Sequence, residues 1–450
     1  MKQKQKWAVM AIVLVLSACT VRYWLALWGA QYPVNDSQEA IVQSVARELG
    51  DGSIRVAYRR DADTLVVDTY DNTGTRQQRD EFPFSVTGSA QFGAAPVFLS
   101  DDSLVWFGRN DFTSVRINLI TQTVEPLWEI LGLTLEDGVN FEIAKAVVLD
   151  NGQLVMAGGD RRSAVSPFRR ARVVVLNTND TVQSAVLEQS TSFTSLVARG
   201  GSDQYFVQYF EFDPSIPAET AFTFLGEDDL LELQPQMDKG TLLQADLQGA
   251  WATEVFMAGL LHYSQDLVLD WQNNDVLVRK LVATSDEHYL MLQLIEDKMS
   301  VVKRDATGTV LWEREATADA TLHGGLAERA GKILYTESFS SRVPGVRTTP
   351  GDPDLIEPIT TVKENVRHQL LNANGKLISR FKEPEYNAVL LRDPMTGTDG
   401  SALEHKAGSC RYFSGMLLSN GQFASVSRWC SDNSVHNQQE SLFLFSRASN

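Results

Sequence analysis

Residues Val301–Trp312 read VVKRDATGTVLW, and this stretch decides the class of the fold. A run of strand-forming residues reaches Arg304, Ala306-Thr307-Gly308 makes a tight turn, and a second strand ends on Trp312. Looser versions recur along the chain, and an array of such hairpins is the signature of a repeat-built all-β protein.

Outward from it, short β-branched or alternating runs succeed one another: Thr64–Tyr70, Ser103–Phe107, Gln153–Ala157, Arg172–Leu176, Gln204–Phe210, His288–Ile295, Lys332–Thr336 and Gln422–Ser427. Turn chemistry separates them. Asn151-Gly152, Asn374-Gly375 and Asn420-Gly421 supply residues that tolerate the positive φ of tight hairpins. Residues 51–450 then divide into about seven or eight irregular units of roughly 50 residues. Radial stacking of four-stranded units removes the exposed sheet edges that endanger a long all-β chain. The expectation is an all-β fold, a β-propeller of about seven or eight four-stranded blades, with two β-sandwiches as the alternative. One helix is expected outside it, over Asn35–Gly50. Asp36 and Glu39 form its capping box, and Ile41, Val42, Val45, Ala46 and Leu49 its apolar stripe. Ser338–Val362, with Pro344, Pro350, Pro353 and Pro358, reads as a long excursion between strands.

The N-terminus addresses the chain to a compartment. Residues 1–19 read MKQKQKWAVMAIVLVLSAC: three lysines, an apolar core from Trp7 to Leu16, then small residues before Cys19. That is secretory-signal grammar. Leu16-Ser17-Ala18-Cys19 resembles the lipobox of bacterial lipoproteins, which implies cleavage after residue 18 and diacylglycerol on the Cys19 sulfur. Two or three acyl chains hold a soluble body on a membrane. Because the apolar run continues through Trp24 and Trp28, an uncleaved anchor over residues 7–30 is the alternative. Both place residues 51–450 outside the cytoplasm, with residues 19–50 as a linker and short helix. Thr20 after the modified cysteine implies, by the same resemblance, the periplasmic face of a Gram-negative outer membrane.

Asp305–Trp312 also resembles the repeat of quinoprotein-like propellers, in which a D-x-x-G-x-x-x-W pattern ends each blade and the tryptophan packs flat between blades. Asp71–Gly74 and Asn372–Gly375 echo its first half, and Pro126-Leu127-Trp128 its end. The resemblance implies that Trp312 and Trp128 are blade-packing residues. It also extends to lipid-anchored propellers that act as scaffolds in outer-membrane protein assembly. The family's quinone enzymes need vicinal cysteines, which this chain lacks, so no cofactor is expected.

Cys410 and Cys430 flank the Asn420-Gly421 turn. A three-residue loop Ser419-Asn420-Gly421 sets them directly opposite and within disulfide reach; a two-residue loop puts them on opposite faces, as free thiols. A disulfide fits an oxidising compartment.

Charge excludes one class of partner. The net charge is −17, and an acidic body repels phosphate backbones, so no nucleic acid is expected. No HExxH, CxxC, GxSxG, P-loop or GxGxxG motif occurs, and the six histidines lack metal-ligand spacing. Glu404-His405 sets a histidine beside a carboxylate, and the acidic clusters lack the closing glutamate of a calcium loop. One basic cluster stands out: Arg161, Arg162, Arg169, Arg170 and Arg172, a candidate grip for an acidic partner or lipid headgroup unless acidic neighbours neutralise it. These readings point to a non-catalytic envelope lipoprotein whose propeller presents a face to envelope proteins. The alternative is an exported propeller enzyme or binder acting on polysaccharide.

Overall fold

The computed structural model describes residues 30–33 and most of 44–446. Outside the description lie 1–29, 34–43, 84–93, 162–169, 212–219, 226–231, 234–240, 254–258, 393–398, 405–412, 431–437, 447–450 and shorter runs elsewhere. The described chain is nearly all strand and forms two compact units.

One unit comprises residues 39–283 and 287–311 and has a six-blade propeller arrangement. Its blades are antiparallel meanders over residues 44–83, 97–126, 140–187, 191–233, 241–273 and 277–315, the unit ending inside the outer strand Val310–Glu315. Blades 4 and 5 are joined by parallel pairing of their first strands at Arg199↔Ala245 and Gly200↔Asp246. Side chains between blades form the core. Leu65, Val67 and Trp106 pack between blades 1 and 2, Phe107, Phe141 and Met156 between 2 and 3, and Val155, Val173 and Tyr209 between 3 and 4. Alternation along each strand feeds both neighbours, so blades 2 to 5 are buried on both faces.

The other unit comprises residues 1–38, 284–286 and 312–450. It contains a four-stranded sheet in which Ala30–Pro33 pairs with Gln438–Ser446, next to Phe423–Cys430 and Phe413–Leu417. Its second sheet has seven strands, dominated by Lys332–Thr349 and Asp352–Asn372.

Three expectations are corrected here. The propeller arrangement has six blades rather than seven or eight, because repeat counting divides the chain evenly. Residues 332–372 instead form one hairpin of strands 18 and 21 residues long. The excursion at Ser338–Val362 is accordingly paired β-structure, in register from Ser338↔Val366 to Thr348↔Ile356. The helix expected over 35–50 is a strand at Ser44–Glu48, paired with Ile54–Arg59 through the turn at Asp51-Gly52. Tertiary pairing overrides a marginal helical pattern; residues 35–43 lie outside the description.

A Trp–Gly contact occurs twice. Gly308, at φ +82°, lies against the Trp271 ring of the preceding blade's outer strand. One step later Gly375, at φ +75°, lies under Trp312, whose Nε1–H donates to the Ala373 carbonyl at 2.9 Å. Trp128 behaves differently. It sits in a short helix α1 (Leu127–Leu131), remains 42% exposed and stacks on Phe112 at 5.7 Å, so it is not buried between blades. The Pro126-Leu127-Trp128 echo has no Asp-x-x-Gly turn before it, and the chain coils there instead.

Candidate functional site

The first strands of the six blades adjoin one another in sequence: Ser44–Glu48, Val97–Ser100, Asn140–Val148, Thr191–Gly200, Thr241–Asp246 and Leu277–Ala283. Blades that radiate come closest at their inner strands, so these strands form the inner wall. In blades 3 to 6 each carries a β-bulge, between Ile143/Lys145, Phe193/Ser195, Leu242/Gln244 and Val278/Lys280. A bulge inserts an unpaired residue and re-aims the side chains after it. In blade 3 the partner opposite must be small, since a Cβ on Gly158 would strike the Glu142 carbonyl.

The residues following the bulges are Lys145, Ser195, Gln244 and Lys280. Solvent reaches both lysines, yet surrounding protein lowers their pKa values below the ordinary lysine value by desolvation. Neither makes an ion pair or hydrogen bond among the described residues. In a chain of net charge −17 that is an unusual place for an unpaired cation. A lysine left on a shaped wall without a counter-ion can bind an anionic group. Neither residue belongs to a motif; the available signal is a lysine inside an apolar strand, as in FEIAKAVV and VLVRKLVA.

The arginine cluster resolves otherwise. Asp160 is fully buried and receives Arg172 Nε at 2.6 Å and Nη2 at 2.7 Å, with Arg170 Nη2 at 2.9 Å. Arg161 pairs with Glu142 at 3.1 Å. Arg172 also donates to Ser184 Oγ at 2.9 Å, while the Tyr209 hydroxyl donates to its carbonyl at 2.8 Å. Carboxylates of the same blade therefore occupy these three guanidiniums; Arg162 and Arg169 lie outside the described residues. Alternation hides this, because Asp160 stands two residues along from the position facing Arg172 in the ladder.

Blade 1 repeats the device. Buried Asp68 accepts from Arg79 at 2.8 and 2.9 Å, from Tyr58 at 3.0 Å and from Tyr70 at 3.1 Å. Burial first, and then the Asp68 charge, pushes the Tyr70 hydroxyl far above its ordinary pKa. In blade 5, His262 Nδ1 lies 2.7 Å from Asp270 while its ring packs on Trp251, and the sheet buries its Nε2. These clusters give the strands polar register marks rather than a reactive centre. No group of three or more metal-ligating side chains occurs among the described residues.

Most of the other candidate residues fall beyond the described chain. Cys19, Cys410 and His405 lie outside it, as does the candidate anchor up to residue 29. Cys430 ends the strand Phe423–Cys430. No helix of the described residues is long and apolar enough to cross a membrane.

No family model and no curated protein matches the chain. Among solved structures it is similar to prolyl oligopeptidase B from Galerina marginata bound to a 25-residue macrocyclization substrate, at 10% identity and TM-score 0.43, covering 96% of this chain and 60% of that one. The same enzyme without ligand matches at 9% identity and TM-score 0.43, over 88% and 56%. A prolyl endopeptidase structure matches at 12% identity and TM-score 0.37, over 95% and 60%. The chain thus spans about 60% of the length of the proteins it matches. The non-catalytic scaffold expectation, with its polysaccharide-acting alternative, is corrected on this finding, since these structures are peptidases. Likeness at this level assigns no chemistry to the present chain.

Proposed function

We propose that this is an exported, lipid-anchored propeller protein of quinoprotein-like build that binds an anionic ligand on the inner wall of its blades. One observation carries the binding function: Lys145 and Lys280 follow equivalent bulges on the inner strands and have no counter-ion among the described residues. The Asp305–Trp312 pattern supports the build, and the Leu16–Cys19 lipobox supports the anchor.

The Cys410–Cys430 disulfide belongs to the same proposal. The hairpin pairs Phe413↔Ser427, Ser414↔Val426 and Leu417↔Phe423, with Gly421 at φ +85°. That register is the one a three-residue turn gives, and it supports the Cys410–Cys430 pairing. An oxidising compartment outside the cytoplasm would keep the bond.

Two measurements test the proposal. Palmitate labelling should mark the wild type and not Cys19→Ala; equal labelling removes the lipid anchor. Titration with inorganic phosphate and a glutamate peptide at low salt should show saturable binding that weakens in Lys145→Met and Lys280→Met. Binding indifferent to both substitutions, in variants with unchanged circular dichroism, ends the ligand reading.

A further inference from the structure

The two lysines, unpaired among the described residues, are not adjacent. They stand on blades 3 and 6, and the matching positions on blades 4 and 5 carry Ser195 and Gln244. Positive charge therefore sits at the bulge positions at both ends of a four-strand stretch of inner wall, and the bulge positions between them are polar and uncharged. The stretch is continuous, because the first strands adjoin in the order blade 3, 4, 5, 6, those of blades 4 and 5 being hydrogen-bonded to each other. Ser195 is 3% exposed and is committed to the fold, so a ligand's middle meets wall rather than a third charge.

A small monoanion can meet only one lysine at a time and leaves the other uncompensated. An extended ligand with two separated anionic groups satisfies both, and its second contact forms at high effective concentration. Polar groups between the charges suit Gln244, whose side chain is half-buried on that wall. Nucleic acid has the wrong charge density for this body: a continuous row of phosphates would be repelled by an acidic surface beyond the two lysines. A peptide with carboxylates spaced along an otherwise neutral backbone has the matching pattern.

Building on the anion-binding function, we propose that the ligand is an acidic peptide in extended conformation, its carboxylates meeting Lys145 and Lys280 across blades 3 to 6.

The test uses the whole chain and a fluorescein-labelled hexaglutamate peptide, with hexaglutamine and inorganic phosphate as comparators, followed by anisotropy and calorimetry. Hexaglutamate should bind one to one. Phosphate should compete only at large excess. Lys145→Met and Lys280→Met should each weaken the peptide by about 10-fold or more, the size of one lost charge contact. Lys145→Arg and Lys280→Arg should restore most of the affinity. Hexaglutamine should not bind, and affinity should fall as salt rises. Two phosphates per chain, one lost in each variant, with hexaglutamate no tighter than phosphate, would overturn the single-peptide inference and leave anion binding standing. No binding of either anion would overturn both.

Discussion

Trp312 lies flat over Gly375, with its indole N–H held by the Ala373 carbonyl at 2.9 Å. A Cβ on Gly375 would come within 2.8 Å of the ring, and the residue sits at φ +75°. Trp271 and Gly308 repeat the relationship one sheet earlier. Left-handed backbone and an occupied Cβ position act together, so Gly375→Ala and Gly308→Ala should each cost roughly 2 kcal/mol or more. Thermal denaturation checks this. A loss under half that size would mean that the rings move aside freely.

The two tryptophans of the repeat pattern should separate cleanly. Trp312→Ala removes a packed, hydrogen-bonded ring and should destabilise by about 2 kcal/mol, below the range for a fully buried tryptophan. Trp128→Ala removes a ring that is 42% exposed and stacked on Phe112, so less than about 1 kcal/mol is expected. Urea titration of the paired variants decides, and equal losses would refute the distinction.

Arg172→Met leaves the fully buried Asp160 with Arg170 as its ion-pair partner among the described residues. Breaking a buried pair from one side costs about 3–5 kcal/mol, whereas replacing both partners by apolar residues can be nearly neutral. The double variant Asp160→Leu/Arg172→Met should therefore recover much of the single variant's loss. A double variant less stable than Arg172→Met would make the pair itself a net stabiliser.

Several buried tyrosines predict an alkaline limit. Burial, chiefly, raises the hydroxyl pKa of Tyr70, Tyr205 and Tyr289 above the ordinary value near 10, Tyr289 also through its 2.5 Å hydrogen bond to Asp246. The fold retains protons that the unfolded chain releases. Their contribution is whole below about pH 10 and is lost as pH rises from there through the raised folded values. The tyrosines add no loss from pH 8 to about 10, and denaturant midpoints should fall as the pH rises well above it.

The lysines have the opposite sign. Desolvation lowers Lys145 and Lys280, so the fold releases their protons at a pH where the unfolded chain still holds them. Stability gains from these two groups as pH rises through that window, while anion affinity falls because the charge disappears. Peptide affinity should begin to drop below the pH of about 10.4 at which an ordinary lysine titrates. Anisotropy across pH 7.5 to 10, where the tyrosines leave the fold intact, would show it. Affinity constant over that range would place the binding charge elsewhere.

Turns were legible in the sequence because neighbouring residues settle them. The Asp305 carboxylate accepts from the Thr307 and Thr309 amides at 2.9 Å, a contact completed within five residues, and so the hairpin at Val301–Trp312 can be read from its own letters. Whatever depends on pairing across the chain came from the tertiary fold instead. Ser44–Glu48 carries a helical stripe but becomes a strand because Ile54–Arg59 offers it a ladder. Residues 332–372 form one long hairpin because each strand satisfies the other's backbone, prolines notwithstanding. Five arginines in a row of twelve residues resemble a binding surface, yet Asp160 and Glu142 stand beside three of them. Lys145 and Lys280 are invisible in the sequence because nothing local distinguishes a lysine that finds no partner among the described residues. Their isolation is a property of the surrounding wall, built from strands about 135 residues apart in sequence.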